Sequence, residues 1–215
     1  MPAEGVRIVK VIGRLHVLTD LEAEADPLDV VDAALAAGVP VIQVRAKLLT
    51  DRELFALAEA VVWRCRVAGA TCLIDDRVDI ALASGADVLH LGQDDLPLPV
   101  ARGVIGPRPV IGRSTHDLQQ AKTAATENVD YFCVGPCWPT PTKPGRPSPG
   151  LDLVRATTEL ATDKPWFAIG GIDEERLPEV LEAGARRIVV VRAITGADDP
   201  KAAAQRLKAR LAAAG

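Results

Sequence analysis

Two hydroxyls and an ammonium group come after a short apolar stretch in the middle of the chain. Residues Asp130–Val134 predict a buried strand, which ends at a Gly-Pro pair because proline donates no ladder hydrogen bond. Thr140, Thr142 and Lys143 come next, and such groups at the carboxyl end of a strand suit an anionic ligand. A solvated turn explains this segment alone more simply. The interpretation therefore depends on the residue types at the ends of the other strands.

Polar side chains or glycines come directly after most of the other predicted strands. If these strands run parallel, their carboxyl ends meet on one side of the fold, where the active site of a barrel lies. In chain order the positions are Gln43, Arg45 and Lys47; Asp75 and Asp76; Asp94 and Asp95; Ser114; Gly170 and Gly171; and Val191 and Arg192. The set contains cations, paired acids, a hydroxyl and glycines, and it shows no serine–histidine triad.

Two aspartates in this set could hold a metal ion. Asp76 and Asp95 come after neighbouring strands, so their carboxylates could converge, and Mg²⁺ commonly uses one or two carboxylates together with substrate phosphates. Either aspartate alone is more simply a helix cap. Together with Arg45, Lys47 and Lys143, the pair predicts Mg²⁺ and a diphosphate whose departure needs charge neutralisation.

The last two strands indicate a second anion site. Ile169-Gly170-Gly171-Ile172 and Val190-Val191-Arg192-Ala193 lie at the ends of strands seven and eight, the usual place for phosphate binding in barrels. Glycine lets the backbone come close to a ligand. We therefore expect a diphosphate across strands two to six and a monophosphate across strands six to eight.

The elements that must position these groups alternate regularly. Apolar runs predict strands at Leu15–Leu18, Val41–Val44, Cys72–Ile74, Val88–Leu91, Val110–Gly112, Asp130–Val134, Trp166–Ile169 and Ile188–Val191. Helical spacing predicts helices at Asp29–Ala37, Asp51–Ala68, Asp79–Ala83, Pro97–Gly103, Asp117–Glu127, Leu153–Leu160, Glu174–Ala183 and Pro200–Leu211. Eight strand–helix units in 215 residues favour a compact α/β fold, a single-domain (β/α)₈ TIM barrel over residues 1–215 with 1–13 as an irregular lead-in.

Composition narrows the function classes. Hydrophobic residues make up 48% of the chain, aromatic residues only 3%, and the net charge is −4, which argues against nucleic-acid and anionic-membrane partners. No apolar run approaches the roughly 20 residues of a membrane span, and no signal-peptide pattern opens the chain. The four cysteines predict reduced thiols in a cytoplasmic protein. A metal site at Cys133 and Cys137 is the alternative, although no further His or Cys lies close by in sequence to complete it.

These residues together resemble the thiamine-phosphate synthase family over nearly the whole chain. The motifs that carry the resemblance are Gln43-Val44-Arg45-Ala46-Lys47, Asp76, His90-Leu91-Gly92-Gln93-Asp94-Asp95, Gly112-Arg113-Ser114-Thr115-His116, Gly135 to Lys143 and Ile169-Gly170-Gly171-Ile172. The resemblance implies a small (β/α)₈ enzyme, a transferase of thiamine biosynthesis. It joins hydroxymethylpyrimidine diphosphate to a thiazole phosphate carboxylate, giving thiamine phosphate, diphosphate and CO₂ by a dissociative route.

The resemblance also implies roles for individual residues. Arg45, Ser114 and Lys143 would be catalytic, and Asp76 and Asp95 would bind Mg²⁺. The residues expected to bind the pyrimidine diphosphate are Gln43, Val44, Arg45, Ala46, Lys47, Asp75, Ser114 and Lys143. Those expected to bind the thiazole phosphate are Thr140, Pro141, Thr142, Gly171, Val191 and Arg192. These two small molecules are the expected partners, and the sequence leaves the oligomeric state open, a homodimer included.

Two positions depart from the family pattern. Asp75 stands where the family usually has asparagine, and Arg192 where many relatives have serine. Asp75 could be protonated, assist the metal or accept a hydrogen bond from the aminopyrimidine, while Arg192 could add charge toward the phosphate.

Two other functions are alternatives to the synthase: a homologous thiazole tautomerase and a non-catalytic phosphate-ligand binder. Neither needs the metal and diphosphate groups that this chain retains.

Overall fold

Eight short parallel strands close into a barrel in the computed structural model, which describes residues 12–19, 21, 23–140 and 148–214. The strands are β1 Leu15–Leu18, β2 Val41–Val44, β3 Thr71–Asp75, β4 Val88–Leu91, β5 Val110–Thr115, β6 Tyr131–Val134, β7 Trp166–Ile169 and β8 Ile188–Val190. Each strand pairs with the next along the chain, and β8 pairs with β1, where His16 lies opposite Val189. The barrel predicted from strand–helix alternation is confirmed.

Helices cover the outside of the barrel between successive strands. They are α1 Pro27–Ala36, α2 Asp51–Ala68, α3 Val78–Ser84, α4 Leu98–Ile105, α5 Leu118–Thr126, α6 Gly150–Glu159, α7 Leu177–Glu182, α8 Arg192–Thr195 and α9 Pro200–Ala213. The longest, α2, starts with a capping box in which Thr50 and Glu53 satisfy each other's backbone N–H groups. It ends at Gly69 in the left-handed conformation. No helix in the described part of the chain is both long and apolar enough to cross a membrane.

Most predicted bounds agree with the structure to within a few residues. Strands β1, β2, β4 and β7 and helix α2 have the predicted bounds, whereas β5 runs three residues beyond the predicted Gly112. It continues because Arg113 and Ser114 pair with Phe132 and Cys133 of β6. The four-residue helix α8 was not predicted, since one turn is too short to show helical periodicity. Residues 1–11 of the predicted lead-in lie outside the described residues.

Alternation along each strand divides the core into two layers. One set of side chains, such as Val17, Ile42 and Ile74, packs between the barrel and the helices. The alternate set points into the barrel and forms a separate cluster that includes Leu18, Leu73 and Phe167. Because successive strand residues face opposite sides, one residue near the end of every strand faces the barrel's open end.

An aromatic cluster fills the interior below that end. The rings of His16 and Phe167 lie 4.0 Å apart between centroids, and Tyr131 packs edge-on against both, at 5.8 Å from His16 and 5.6 Å from Phe167. All three residues have no exposed surface. His16 Nε2 lies 2.7 Å from the Ile12 carbonyl and donates to it, while Nδ1 is buried without a hydrogen-bond partner among the described residues. The barrel is thus filled with packed side chains.

Burial of His16 makes stability depend on pH. The pKa of His16 is lowered from 6.5 to about 4, and desolvation by burial is the largest cause. The hydrogen bond to Ile12 raises the pKa by a smaller amount, and the charge of Arg187 lowers it slightly. The unfolded chain therefore binds one proton more than the folded chain between these values. Stability from this residue is complete above pH 6.5 and falls as pH drops toward 4, by about 3 kcal/mol at roughly 1.4 kcal/mol per pKa unit.

Urea unfolding at pH 7, 6, 5 and 4 should reveal this loss by comparison with His16→Leu. The parent's free energy of unfolding should fall about 3 kcal/mol further than the variant's across that range. Carboxylates titrate in both proteins, so their contribution cancels in the difference. Parallel pH profiles for the two proteins would contradict the assignment.

Candidate active site

A cavity of about 310 Å³ opens at the carboxyl ends of the strands. Its floor consists of one inward-facing residue at or just beyond the end of each strand. In strand order these are Leu18, Gln43, Asp75, His90, Ser114, Cys133, Ile169 and Val191. This volume is typical of a small-molecule site, and the alternation of strand residues is what gathers the polar members of this ring.

Residues from β2 and β3 form a charged group on one wall of the cavity. Gln43 Nε2 donates to Asp75 Oδ1 at 2.9 Å, and Arg45 Nε lies 3.6 Å from Asp75 Oδ2. The Arg45 backbone is fixed by Thr19, whose hydroxyl accepts from the Arg45 N–H at 3.0 Å. Arg45 Nε is buried and makes no hydrogen bond to the described residues. The guanidinium is therefore held in place while part of its hydrogen-bonding capacity remains unused.

A second charged group lies beside this wall. Lys47 Nζ is 2.8 Å from Asp76 Oδ2, and the Asp95 carboxylate accepts from the Gly92 N–H at 2.6 Å. Burial raises the pKa of Asp95, and a hydrogen bond with Asp76 raises it further. Asp76 has a φ of 62°, a left-handed conformation that Asp and Asn adopt more readily than most residues.

The contact between the Asp76 and Asp95 side chains fits Mg²⁺. Two adjacent carboxylates repel each other when both are ionised, and a divalent cation between them relieves that repulsion. No cluster of three or more His, Cys, Asp or Glu side chains suited to a metal occurs among the described residues. Water or substrate phosphate oxygens could complete the coordination, as is usual for Mg²⁺.

Ser114 is one of the floor residues and belongs to a series of polar contacts. Its hydroxyl lies 2.9 Å from His90 Nε2, and its carbonyl accepts from Gln93 Nε2 at 2.6 Å. On the far side of the imidazole, His90 Nδ1 lies 3.0 Å from the Tyr131 hydroxyl. The strand end and its neighbours thus fix both the backbone and the side chain of Ser114.

The ends of β7 and β8 form the opposite wall of the cavity. Gly171 has a φ of +69°, and a Cβ there would lie 2.7 Å from the Cβ of Trp138, so glycine is required by both conformation and space. Among the described residues, the Gly171 and Arg192 N–H groups have no backbone acceptor. Arg176 donates to the Gly171 carbonyl at 2.8 Å and stacks on the Trp138 ring. This wall therefore combines available backbone donors with two arginines that face the cavity.

The structure brings many of the predicted site residues to this cavity. Its lining includes Gln43, Arg45, Asp75, Ser114, Thr140, Gly171, Val191 and Arg192. Lys47, Asp76 and Asp95 form the neighbouring charged group. Pro141, Thr142 and Lys143 lie outside the described residues.

Val44 and Ala46 are placed differently from the other predicted ligand residues. Both side chains are buried in the layer between barrel and helices, so any contact with a ligand would have to come from their backbone. The alternative metal site at Cys133 and Cys137 gains no support, since the two side chains belong to different core layers. Burial also raises the pKa of Cys137 to about 12, which disfavours the thiolate that a metal needs.

Several lining residues were not predicted as ligand-binding, and three of them carry basic side chains. His90, His116 and Arg176 all line the cavity. The period of two along β4 could have found His90, because Leu89 and Leu91 face outward and His90 therefore faces the interior. Arg176 lies in the turn between β7 and α7, where no sequence pattern reports side-chain direction.

Fold and site together define a class of protein: a (β/α)₈ barrel in which cationic side chains, glycine turns and paired carboxylates meet at the carboxyl ends of the strands. A family model described as thiamine monophosphate synthase matches residues 15–194. The thiamine-phosphate synthase of Mycolicibacterium smegmatis is 64% identical over 94% of this chain and 93% of the relative. That of Mycobacterium sp. strain JLS is 64% identical over 90% of each chain.

A solved structure agrees with these relatives. The thiamine phosphate pyrophosphorylase of Pyrococcus furiosus superposes with a TM-score of 0.86 at 32% identity, covering 96% of this chain and 98% of that one. The chain belongs to the thiamine-phosphate synthase family. The resemblance noted from its motifs is confirmed.

Proposed function

We propose that this chain is a transferase of thiamine biosynthesis that performs the thiamine-phosphate synthase reaction. Hydroxymethylpyrimidine diphosphate and a thiazole phosphate carboxylate would combine to give thiamine phosphate, diphosphate and CO₂. Identity of 64% to synthases over nearly the full chain supports this activity. The structural observation that supports this activity is a single cavity with Arg45 and Asp75 on one wall and Gly171 and Arg192 on the other. Two anionic substrates can therefore bind side by side.

The diphosphate belongs on the wall built by β2 to β5. Arg45 and Lys47 supply positive charge, and Ser114 supplies a hydroxyl from the floor. Asp76 and Asp95 would hold Mg²⁺, and Lys143 is proposed to complete the set by its place in the family motif. When bound, Mg²⁺ would neutralise charge on the leaving diphosphate. Asp75, whose carboxylate faces the cavity, would accept a hydrogen bond from the aminopyrimidine.

The thiazole phosphate belongs on the opposite wall. The Gly171 and Arg192 N–H groups can donate to phosphate oxygens, and the guanidinium of Arg192 adds charge that a serine would not. Thr140 borders the same region, and Pro141, Thr142 and Val191 are proposed to complete it by their motif positions. In the proposed arrangement, the thiazole ring would lie beside the carbon that loses diphosphate.

The proposed chemistry needs anion stabilisation and positioning, and it needs no protein nucleophile. The C–O bond to diphosphate breaks first, and the diphosphate keeps the electron pair. Arg45, Lys47 and Ser114 bind the charge that develops on the leaving oxygens. The electron-rich pyrimidine stabilises the cation left behind, and the thiazole nitrogen then forms the new C–N bond with its lone pair. CO₂ leaves from the thiazole carboxylate, and the electron pair that remains on the ring system takes up a proton from water. Holding both reactants in one cavity supplies the proximity that this capture requires.

A coupling assay tests the proposal. Purified protein given both substrates and Mg²⁺ should release diphosphate and form thiamine phosphate in equal amounts. Diphosphate is measured as inorganic phosphate after hydrolysis by an added pyrophosphatase, and thiamine phosphate is measured by chromatography. Omitting the thiazole phosphate is the control, and it should prevent thiamine phosphate formation. Isomerisation of the thiazole without diphosphate release would instead identify a tautomerase, and binding without turnover would identify a ligand-binding protein.

We also propose a cytoplasmic location. Cys65, Cys72, Cys133 and Cys137 are all buried as free thiols. Thiols in this state suit a reducing compartment.

A further inference from the structure

A chain of three buried polar side chains runs through the barrel interior to the floor of the cavity. The Tyr131 hydroxyl lies 3.0 Å from His90 Nδ1, and His90 Nε2 lies 2.9 Å from Ser114 Oγ. Tyr131 is completely buried, and His90 and Ser114 are only 4% and 9% exposed. The proposed function uses Ser114 but assigns nothing to the two residues beneath it.

The Tyr131 hydroxyl determines where each proton lies in the hydrogen bonds that link Tyr131, His90 and Ser114. Burial raises the pKa of Tyr131 well above its usual value, so the phenol keeps its proton. Among the described residues, His90 Nδ1 is the only acceptor within reach of that proton. A buried hydroxyl left without an acceptor is costly, so Tyr131 donates to Nδ1. The proton of a neutral His90 ring is then on Nε2.

This arrangement fixes the direction of the Ser114 hydroxyl. Because Nε2–H donates to Ser114 Oγ, the serine oxygen acts as the acceptor in that contact. Within the described part of the chain, the Ser114 hydroxyl proton has no other acceptor and is free to point into the cavity. Reversal of the His90 tautomer would turn the same proton down toward the imidazole and away from a ligand.

The Tyr131 ring is held in place by its neighbours. Gly112 lies opposite Tyr131 in the pairing of β5 with β6, and any Cβ at Gly112 would overlap the tyrosine ring. On its other side the ring packs edge-on against Phe167, with an interplanar angle of 73°. The hydroxyl is therefore aimed at His90 by packing that a larger residue at position 112 would disrupt.

We propose that Tyr131 is a positioning residue that holds the His90 ring, in its neutral form, as the Nε2–H tautomer, so that Ser114 presents its hydroxyl proton to the diphosphate. This inference rests on the proposed function for the part that concerns diphosphate. The tautomer itself is a property of the ligand-free protein. The two parts can therefore fail separately.

Histidine nitrogen NMR at pH 8 without substrates tests the tautomer directly. The chain has three histidines, so His16→Leu and His116→Gln variants assign the signals. The expected spectrum for His90 has a protonated Nε2 and an unprotonated, hydrogen-bonded Nδ1. In Tyr131→Phe, the Nδ1 signal should move to the position of a nitrogen without a hydrogen bond. A parent spectrum with a proton on Nδ1, or on both nitrogens, would overturn the proposal.

A double-mutant cycle tests the consequence for catalysis. Tyr131→Phe should lower kcat about tenfold, the scale of one lost hydrogen bond, while the same change in a Ser114→Ala protein should cost less than about twofold. Equal losses in both backgrounds would mean that Tyr131 does not act through Ser114. Thr157→Val is the matched control, because it removes another fully buried hydroxyl, one bonded to the Leu153 carbonyl on α6, and it should leave kcat unchanged.

A second pair of variants keeps the test decisive if Tyr131→Phe folds poorly. The amide nitrogen of a glutamine at position 90 can replace Nε2 as donor to Ser114, whereas leucine cannot. His90→Gln should therefore retain about tenfold more activity than His90→Leu. Equal activity in the two would overturn the proposed role of His90. Absence of synthase activity in the parent would refute the proposed function but leave the tautomer measurement valid.

Discussion

Removing divalent metal with EDTA should stop diphosphate release, and Asp76→Asn should lower kcat about a hundredfold, the scale on which a single transition-state contact acts. The Asp76 carboxylate touches that of Asp95 and pairs with Lys47, so the amide would remove one negative charge from the proposed metal site. Asparagine also tolerates the left-handed backbone at φ 62°, which alanine tolerates less well. The measurement is the steady-state rate as a function of Mg²⁺ concentration, and the variant should need more Mg²⁺ for half its maximal rate.

Asp32→Asn provides the matched control for this change. Asp32 lies on the outer helices, where it pairs with Arg64 at 3.0 Å and is 56% exposed. A surface pair of this kind contributes about 0–1 kcal/mol, so the control should lose little stability and no activity. Undiminished turnover without divalent metal would refute the Mg²⁺ assignment, whatever the variants do.

Arg45→Met should lower kcat/KM for the pyrimidine diphosphate by at least about a hundredfold. Methionine keeps much of the length of arginine but removes the guanidinium, which faces the cavity with a buried Nε that makes no hydrogen bond to any described residue. The charge that develops on the departing diphosphate would then lack its proposed partner in the loop after β2. The rate should be measured at saturating thiazole phosphate, so that only the diphosphate wall is tested.

Loss of Arg45 also leaves Asp75 without its ion pair, and a double variant separates the two effects. Asp75 is 9% exposed at its side chain, and its carboxylate, once the arginine charge is removed, would itself oppose an anionic ligand. Arg45→Met combined with Asp75→Asn removes that carboxylate, yet the activity should stay low if Arg45 binds the diphosphate. Recovery in the double variant would show that the loss came from Asp75. Arg64→Met, the partner change on the outer surface, should leave kcat/KM unaltered.

The barrel was predictable because each strand carries its own boundary signals. Short aliphatic runs between helices specify parallel strands, and Gly-rich turns such as that after α2 mark where each unit ends. The exceptions have local causes. Strand β5 continues past Gly112 because its pairing with β6 persists, and pairing is a tertiary property that one strand's sequence does not contain. Helix α8 makes a single turn, too short for any periodicity.

Side-chain direction accounts for what the sequence did and did not indicate about the site. Position at a strand's end indicated Arg45, Asp75 and Ser114, and all three line the cavity. The family resemblance also implied Val44 as a ligand residue, and its side chain faces the helices because it alternates with Gln43. Arg176 reaches the cavity from a turn through its contacts with Trp138 and Gly171, and such tertiary contacts leave no spacing pattern.

The packed rings of His16, Tyr131 and Phe167 block the barrel interior below the cavity. In the proposed reaction, substrates and products would therefore enter and leave through the same opening, at the carboxyl ends of the strands. Whichever product departs last decides when the next pair of reactants can enter. With a single opening, product release as well as C–O bond cleavage can limit kcat.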